Sequence, residues 1–227
     1  MAKDKILEMF FDKKRWEYAI EKGVDKDINK GELTLLTSKE SRAYIYKKMV
    51  AGEYKIAPPH TAAIPKDDGT DRIVYVNEPI DRIILSIAND LLFDIAPEMV
   101  HKNCKSYQRG IGCGQVVQEL SKKICENSGD IIGWKSDLSK YFDSVPIRYI
   151  DEAFDEVEKK YGHSALIDVL RKYYHDRFYF DLDNNLQSNY QSLKQGCAVA
   201  SWLADVVLKH LDERINDGIH HERKGVP

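Results

Sequence analysis

The sequence predicts an α+β fold, and three observations predict it. Helical and strand-like segments follow one another in mixed order: helices, a hairpin, helices, a strand, helices, a second hairpin and a last helix. That order differs from the strict strand–helix alternation of a doubly wound sheet. One long segment carries apolar residues at helical spacing, and two separate stretches carry hairpin turn signals. With 227 residues, 43% of them hydrophobic and 31% charged, the chain has ordinary globular composition and enough length for one large domain or two lobes.

The first part reads as helices. Thr37 and Glu40 have the spacing of a capping box, and "SRAYIYKKMV" follows before Gly52. Strands are expected near 60–66 and 71–77, where "IVYV" is β-branched and aromatic and Asp68-Gly69 is a strong turn signal. Ile80, Ile83, Ile84, Ile87, Ala88, Leu91, Leu92 and Ile95 then repeat at helical spacing between Pro79 and Pro97, which bound a central packing helix. "SYQRGIGCG" is a glycine-rich loop leading into a helix from Gln115 to Glu126; no strand precedes it, so it is not a dinucleotide fingerprint. "NSGD" ends that helix, and "DIIGW" opens a strand over 130–137. Helices over 147–161 and 164–176 follow, then a hairpin turning at Asn184-Asn185. The last helix puts Val199, Leu203, Val206, Val207, His210 and Leu211 on one face, and "NDGIHHERKGVP" reads as a turn and the start of a strand.

Composition narrows the function classes. The four cysteines form no C-x-x-C pair and have no histidine pair at zinc spacing, so they read as reduced, mostly buried thiols. A net charge of −3, from 34 basic and 37 acidic residues, argues against coating nucleic acid by bulk electrostatics but leaves room for a local basic groove. No apolar run approaches the roughly 20 residues that cross a bilayer, and the start is amphipathic and charged rather than a secretory signal. The expectation is a cytoplasmic protein with no membrane partner.

Asp137 carries the chemistry. A carboxylate at a strand end, beside a turn, suits Mg²⁺, with the Leu138 carbonyl as a second oxygen ligand. The alternative is that Asp137 only caps the turn into the next helix. Asp143, with Ser144 ahead of Pro146, reads as an N-terminal capping arrangement.

Four blocks together resemble one family. "SDLSKYFDSV" resembles the first palm motif of reverse transcriptases, Asp-x-x-x-(Phe/Tyr)-Phe-Asp. Upstream, "IPKDDGTDRIVYVNEPIDRIILSIANDLL" resembles the fingers hairpin and following helix, and "CKSYQRGIG" the Ser-Tyr-Gly-hydrophobic-Arg segment. Downstream, "LKQGCAVASWLADVVLKHLDE" resembles the Gln-Gly-x-x-x-Ser-Pro block. The blocks stand in family order over roughly residues 55–213 and are nearest to bacterial group II intron and retron-like enzymes. Ala200-Ser201 replaces Ser-Pro, Asp205 replaces an Asn, and "SYQRG" lacks the glycine after tyrosine; these departures suit defence-associated or CRISPR-associated lineages. The family's second metal-binding motif, (Phe/Tyr)-x-Asp-Asp, does not occur, and the only Asp-Asp pair is Asp67-Asp68 in the first hairpin turn. The chain therefore reads as a truncated piece of a longer polymerase.

The resemblance implies a right-hand polymerase's fingers and partial palm, with an antiparallel sheet packed on helices. Its expected divisions are an N-terminal helical extension (1–52), a fingers hairpin and helix (53–112), and palm with the first catalytic motif (113–144). A second fingers segment (145–199) and a palm helix with the start of the missing hairpin (200–227) complete them. It also implies an RNA-directed DNA polymerase using two Mg²⁺ ions, with Mn²⁺ able to substitute. Its partners are deoxynucleoside triphosphates and an RNA template carrying a DNA or RNA primer. Asp137 becomes a catalytic metal ligand, and Phe142 a ring beneath the incoming sugar that excludes a 2′-hydroxyl. Tyr141 points the other way on an extended backbone, into the core. Lys66 and Arg72 flank the fingers turn and bind the triphosphate, or form a solvated charged turn. Gln195-Gly196 opens the last helix and contacts the nascent base pair, or is a helix start needing a small residue. Arg109 is a template-phosphate candidate, and Arg82 pairs locally or reaches the template. Alone, this chain is expected to be inactive and to self-associate through an exposed strand edge. The other function class is a polymerase-like RNA-binding scaffold, serving intron splicing or phage defence without templated synthesis. A third is an unrelated α+β domain.

Overall fold

Four helices open the chain: α1 (Lys5–Phe10), α2 (Lys13–Lys22), α3 (Lys30–Leu36) and α4 (Lys39–Val50). A hairpin of β1 (His60–Pro65) and β2 (Asp71–Val76) leads into α5 (Pro79–Ile95) and a 3-10 turn at Pro97–Met99. Then come α6 (Cys113–Glu126), the single turn α7 (Tyr141–Ser144), α8 (Ile147–Tyr161) and α9 (Ala165–His175). A second hairpin, β3 (Phe178–Phe180) and β4 (Leu186–Ser188), precedes α10 (Val199–Glu222). This computed structural model describes residues 3–22, 28–133 and 135–222. The α+β class stands; the architecture is helical around one small sheet.

The proline-bounded helix is the spine. Ile83, Ile84, Leu85, Ile87, Ala88, Leu91 and Leu92 of α5 are all buried. α1, α2 and α10 pack on it, while α8 and α9 pack on each other and join the same core through α10, α1 and α4. Asp4 ties the chain start to this core: one carboxylate oxygen caps α1 through Leu7 N (2.9 Å), the other accepts from Ala165 N of α9 (2.8 Å). Trp16 is wholly buried and donates its indole N–H to the Phe10 carbonyl (2.9 Å).

The two hairpins fuse into one sheet of order β2-β1-β3-β4. β1 and β2 pair antiparallel from His60↔Val76 to Pro65↔Asp71, and β3 and β4 from Phe178↔Ser188 to Phe180↔Leu186. Between the hairpins β1 and β3 run parallel, joined at His60↔Phe180, whose rings stack at 4.6 Å. The expected antiparallel sheet is therefore mixed.

Several local expectations are corrected. The cap of α4 is Ser38, which accepts from Ser41 N; Thr37 instead ends α3 and donates its hydroxyl to Leu33 O (2.7 Å). The described residues of the expected strand over 130–137 form no strand and are exposed, Ile132 at 96%; Trp134 lies outside the described residues. α10 runs through Gly218 to Glu222 where a turn and strand start are expected, and 223–227 lie outside the described residues. On its expected face Val199, Leu203 and Val206 are buried, whereas His210 and Leu211 are exposed. Of the thiols only Cys197 is buried; Cys113 and Cys125 are exposed on α6. That helix buries none of its residues, leaving Val117, Leu120 and Ile124 uncovered on one side.

Candidate functional site

Most of the residues that the family resemblance marks line one open cleft of ≈ 1220 Å³. Lys66, Arg72, Asp137, Leu138, Phe142 and Gln195, from four separate segments, all line it. Gly196 lies directly behind Gln195.

The first wall is the β1–β2 turn. Lys66 N donates to Thr70 O (2.8 Å), and Asp68 accepts from both the N–H and the hydroxyl of Thr70. Those bonds hold the Asp68 carboxyl below its usual range. Gly69 takes the positive φ (80°) that the turn requires. Lys66 and Arg72 therefore stand on a rigid tip. Both are exposed, and among the described residues Arg72 has no salt-bridge partner.

The second wall is the segment 191–195, stitched from both sides. Leu193 N donates to Phe142 O (2.9 Å), Ser192 Oγ to Val145 O (2.7 Å), and Tyr75 N of β2 to Gln195 O (2.7 Å). Gly196 has φ +104°, and a Cβ there would stand 3.0 Å from Tyr75 O and 3.2 Å from Val74 Cβ. The glycine is thus required by the approach of this segment to β2. Gln195 lies four residues before α10 rather than opening it. Behind it Lys194 is buried, donating to the Tyr173 (2.8 Å) and Asp176 (3.2 Å) carbonyls at the end of α9, over the Tyr173 ring. Burial pushes its ammonium down to about 8.

The floor is α7. Lys140 takes a left-handed backbone (φ 51°), so 141–144 form one helical turn instead of an extended run. Tyr141 still packs inward as expected: its hydroxyl donates to Ala204 O (2.8 Å), and burial raises its phenol. Phe142 is half-buried and meets Tyr141 edge-on at 5.8 Å. Asp143 caps nothing, because Pro146 occupies the N-cap of α8 and Ser144 bonds back to Lys140 O; its carboxylate lines the cleft. Asp137 and Leu138 border the cleft from the exposed segment before α7.

The resemblance does not mark Tyr75, Tyr179, Asp143, Lys140 and Gln191 as site residues, yet they line the cleft too. Tyr75 donates to Gln191 Oε1 and meets Tyr179 edge-on at 5.6 Å. The alternation of β2, with Asp71, Ile73 and Tyr75 on one face, is the signal that points to Tyr75. Arg109 lies elsewhere, clamped to Asp94 (2.9 Å) and Asp90 (3.3 Å) of α5, so its charge is spent on holding the loop. Arg82 is half-buried on α5, next to Asp81, whose carboxylate accepts from Tyr54 Oη and Ala57 N.

Asp71, Asp143 and Asp181 line the cleft beside Asp137, but among the described residues no three of these acids lie close enough to share one ion. Among the described residues the one trio of His, Cys or acidic groups close enough to share an ion is Glu158, His163 and Asp168, outside the cleft. Its Glu158 already accepts from Ser164 N and Arg171.

Behind the floor, buried Asp205 of α10 accepts from Gln108 Nε2 (3.1 Å) and from the Cys104 thiol. Burial raises its carboxyl to about 6 from an ordinary 3.8. The fold thus holds the proton that the unfolded chain has released, and stability falls as pH rises from 3.8 to 6, then levels. Asp205→Asn is expected to raise stability at pH 7.5 by about 1–2 kcal/mol, allowing for solvent screening, and to change little near pH 3.5. Urea denaturation of both chains at the two pH values tests this; an equal difference at both would show that the carboxylate's burial is not the cause.

No protein-family model matches the chain, and no curated protein matches it.

Proposed function

We propose that the cleft binds a nucleoside triphosphate against a primed RNA template, as the fingers and partial palm of an RNA-directed DNA polymerase. One observation carries the reading: Lys66, Arg72, Asp137, Phe142 and Gln195, marked by the family resemblance across 130 positions of chain, line a single cleft. In this reading Arg72 and Lys66 hold the phosphates, the guanidinium bidentately. Phe142 closes the space beside the sugar's 2′ position, and Gln195 faces the base pair. Mg²⁺ bound at Asp137 would neutralise phosphate charge. Because these residues supply one metal-binding carboxylate where nucleotidyl transfer uses several, the chain alone binds its ligands without extending a primer.

Calorimetric titration of deoxynucleoside triphosphate into chain, Mg²⁺ and primed template tests the reading. Arg72→Ala and Lys66→Ala are each expected to weaken triphosphate binding about tenfold, the value of a charge-assisted bond, with primer–template affinity within about twofold. The scattering of the cleft's acids favours a second reading, a polymerase-like RNA-binding scaffold. In that case template binds, no triphosphate binds, and both substitutions act on template affinity alone.

A further inference from the structure

Tyr107 stands apart in the loop between the 3-10 turn and α6. Its φ is 52°, a left-handed conformation that costs energy for a residue with a Cβ. Its neighbours explain how the strain is held. Gln108 bonds inward to Asp205, Arg109 is clamped on Asp90 and Asp94, and Ile111 N closes a turn on Gln108 O (3.2 Å). Both following side chains are tied down, and the Tyr107 ring lies between the inner groups around Asp205 and the solvent. It is 54% exposed, and its hydroxyl has no hydrogen-bond partner among the described residues. Core packing therefore does not account for the ring's position.

Tyr107 adjoins the cleft through the chain. Ser106, the residue before it, lines the cleft with Arg72 and Asp137. Burial and the Asp205 carboxylate raise the Tyr107 phenol, and the Arg72 charge acts on it in the opposite sense. A half-exposed aromatic ring on a fixed loop, next to a cleft that carries an unpaired cation, is the pairing that single-stranded nucleic acids use: bases stack on the ring and phosphates meet the cation.

We propose that Tyr107 is a stacking platform for an unpaired base of a single strand entering the cleft, a role that rests on the cleft being a template and nucleotide site. The rigid loop keeps the ring presented before binding, so little ordering cost falls on association. Stacking tolerates any base, so the platform supports a template without selecting its sequence.

The test is fluorescence anisotropy of the full 227-residue chain with two labelled RNA–DNA duplexes, one blunt and one carrying a short 5′ template overhang. The chain is expected to prefer the overhang, and Tyr107→Ala to weaken overhang binding about 5- to 100-fold while leaving blunt-duplex binding unchanged. Tyr107→Phe should keep the preference. Tyr107→Gly relieves the positive φ, so it should lose the preference while its melting temperature is maintained or raised, which excludes misfolding as the cause. An overhang preference that survives Tyr107→Ala and Tyr107→Gly overturns the platform while leaving the cleft reading intact. So does equal binding of both duplexes by the unaltered chain. Failure to bind either duplex overturns both.

Discussion

Gly196→Ala is expected to cost the protein about 3–5 kcal/mol, a large part of the roughly 5–15 kcal/mol that holds a domain together. Two terms add. A side chain at φ +104° is strained by about 1–3 kcal/mol whatever surrounds it. The new Cβ would also meet the Tyr75 carbonyl at 3.0 Å and the Tyr75 nitrogen at 3.3 Å, atoms of a paired strand that cannot swing aside. Relief requires segment 191–196 to lift off β2, breaking the Tyr75 N to Gln195 O bond at a further cost of about 1 kcal/mol. The cleft wall would move with it, so the triphosphate binding proposed for the cleft should fall as well. Gly52→Ala is the control. Its φ of +70° carries the conformational cost, but a Cβ there meets nothing within 4 Å, and about 1 kcal/mol is expected. Urea midpoints of the two variants decide the matter: equal losses would show that the approach to β2 is loose and that only the dihedral angle matters.

The parts of the fold legible in the sequence are those whose cause is local. α5 announces itself because Pro79 and Pro97 bound a run of apolar residues at helical period, and the first hairpin because Asp68-Gly69 supplies its turn. Where the competing causes differ by one residue, the sequence misleads. Thr37 and Ser38 are both hydroxyl caps in principle, and the chain resolves the choice by spending Thr37 on the previous helix. Segment 130–137 has a strand's side chains, yet a strand also needs a neighbour's backbone groups, and no sequence pattern within the segment supplies one. Gly218 looks like a helix end, but a glycine inside a helix costs only about 1 kcal/mol, and α10 runs through it.

The site divides in the same way. Asp137, Lys66, Arg72, Phe142 and Gln195 stand out in the sequence because motifs resembling a known family mark them, and the fold brings them to one cleft. Tyr75 is hidden because a tyrosine in a strand looks like core, and indeed only 7% of it is exposed; the hydroxyl end alone reaches the cleft. Asp143 is hidden because an acid ahead of a proline and a helix looks like a cap. Proline itself takes the cap position, and the carboxylate is left free for the cleft. Gly196 is legible as a residue that must be small, but the reason lies in β2, over a hundred residues away.

The largest pH effect is expected in alkali, where stability should collapse between about pH 10 and 12. Tyr54, Tyr75, Tyr141, Tyr173 and Tyr174 are held above their ordinary 10.0, chiefly by burial. Four of them also place the hydroxyl against an oxygen acceptor: Asp81, Gln191, the Ala204 carbonyl and Asn77. Above pH 10 the unfolded chain releases these protons and the folded chain does not, so each phenol removes about 1.4 kcal/mol of stability per pH unit. Tyr75 and Tyr141 open on the cleft, where water screens part of the effect, and the five together give about 5 kcal/mol per unit. Lys194 acts in the opposite sense. Its folded value of about 8 lies below the ordinary 10.5, so the unfolded chain binds the proton first and stability rises from pH 8 toward 10.5. One lysine gives about 1.4 kcal/mol per unit, and from pH 9 the raised thiols of Cys104 and Cys197 cancel it. Lys194 therefore wins only between pH 8 and 9, and above 10 the phenols outweigh it several-fold. Urea denaturation followed by circular dichroism across pH 7–12 should show a shallow rise, a plateau and then a cliff, with phenolate absorbance appearing at the cliff. Lys194→Met should erase the rise and leave the cliff in place. Phenolate absorbance that grows smoothly around pH 10 while the ellipticity holds would mean these rings meet water in the folded chain, and the buried hydroxyl contacts behind the cleft would have to be abandoned.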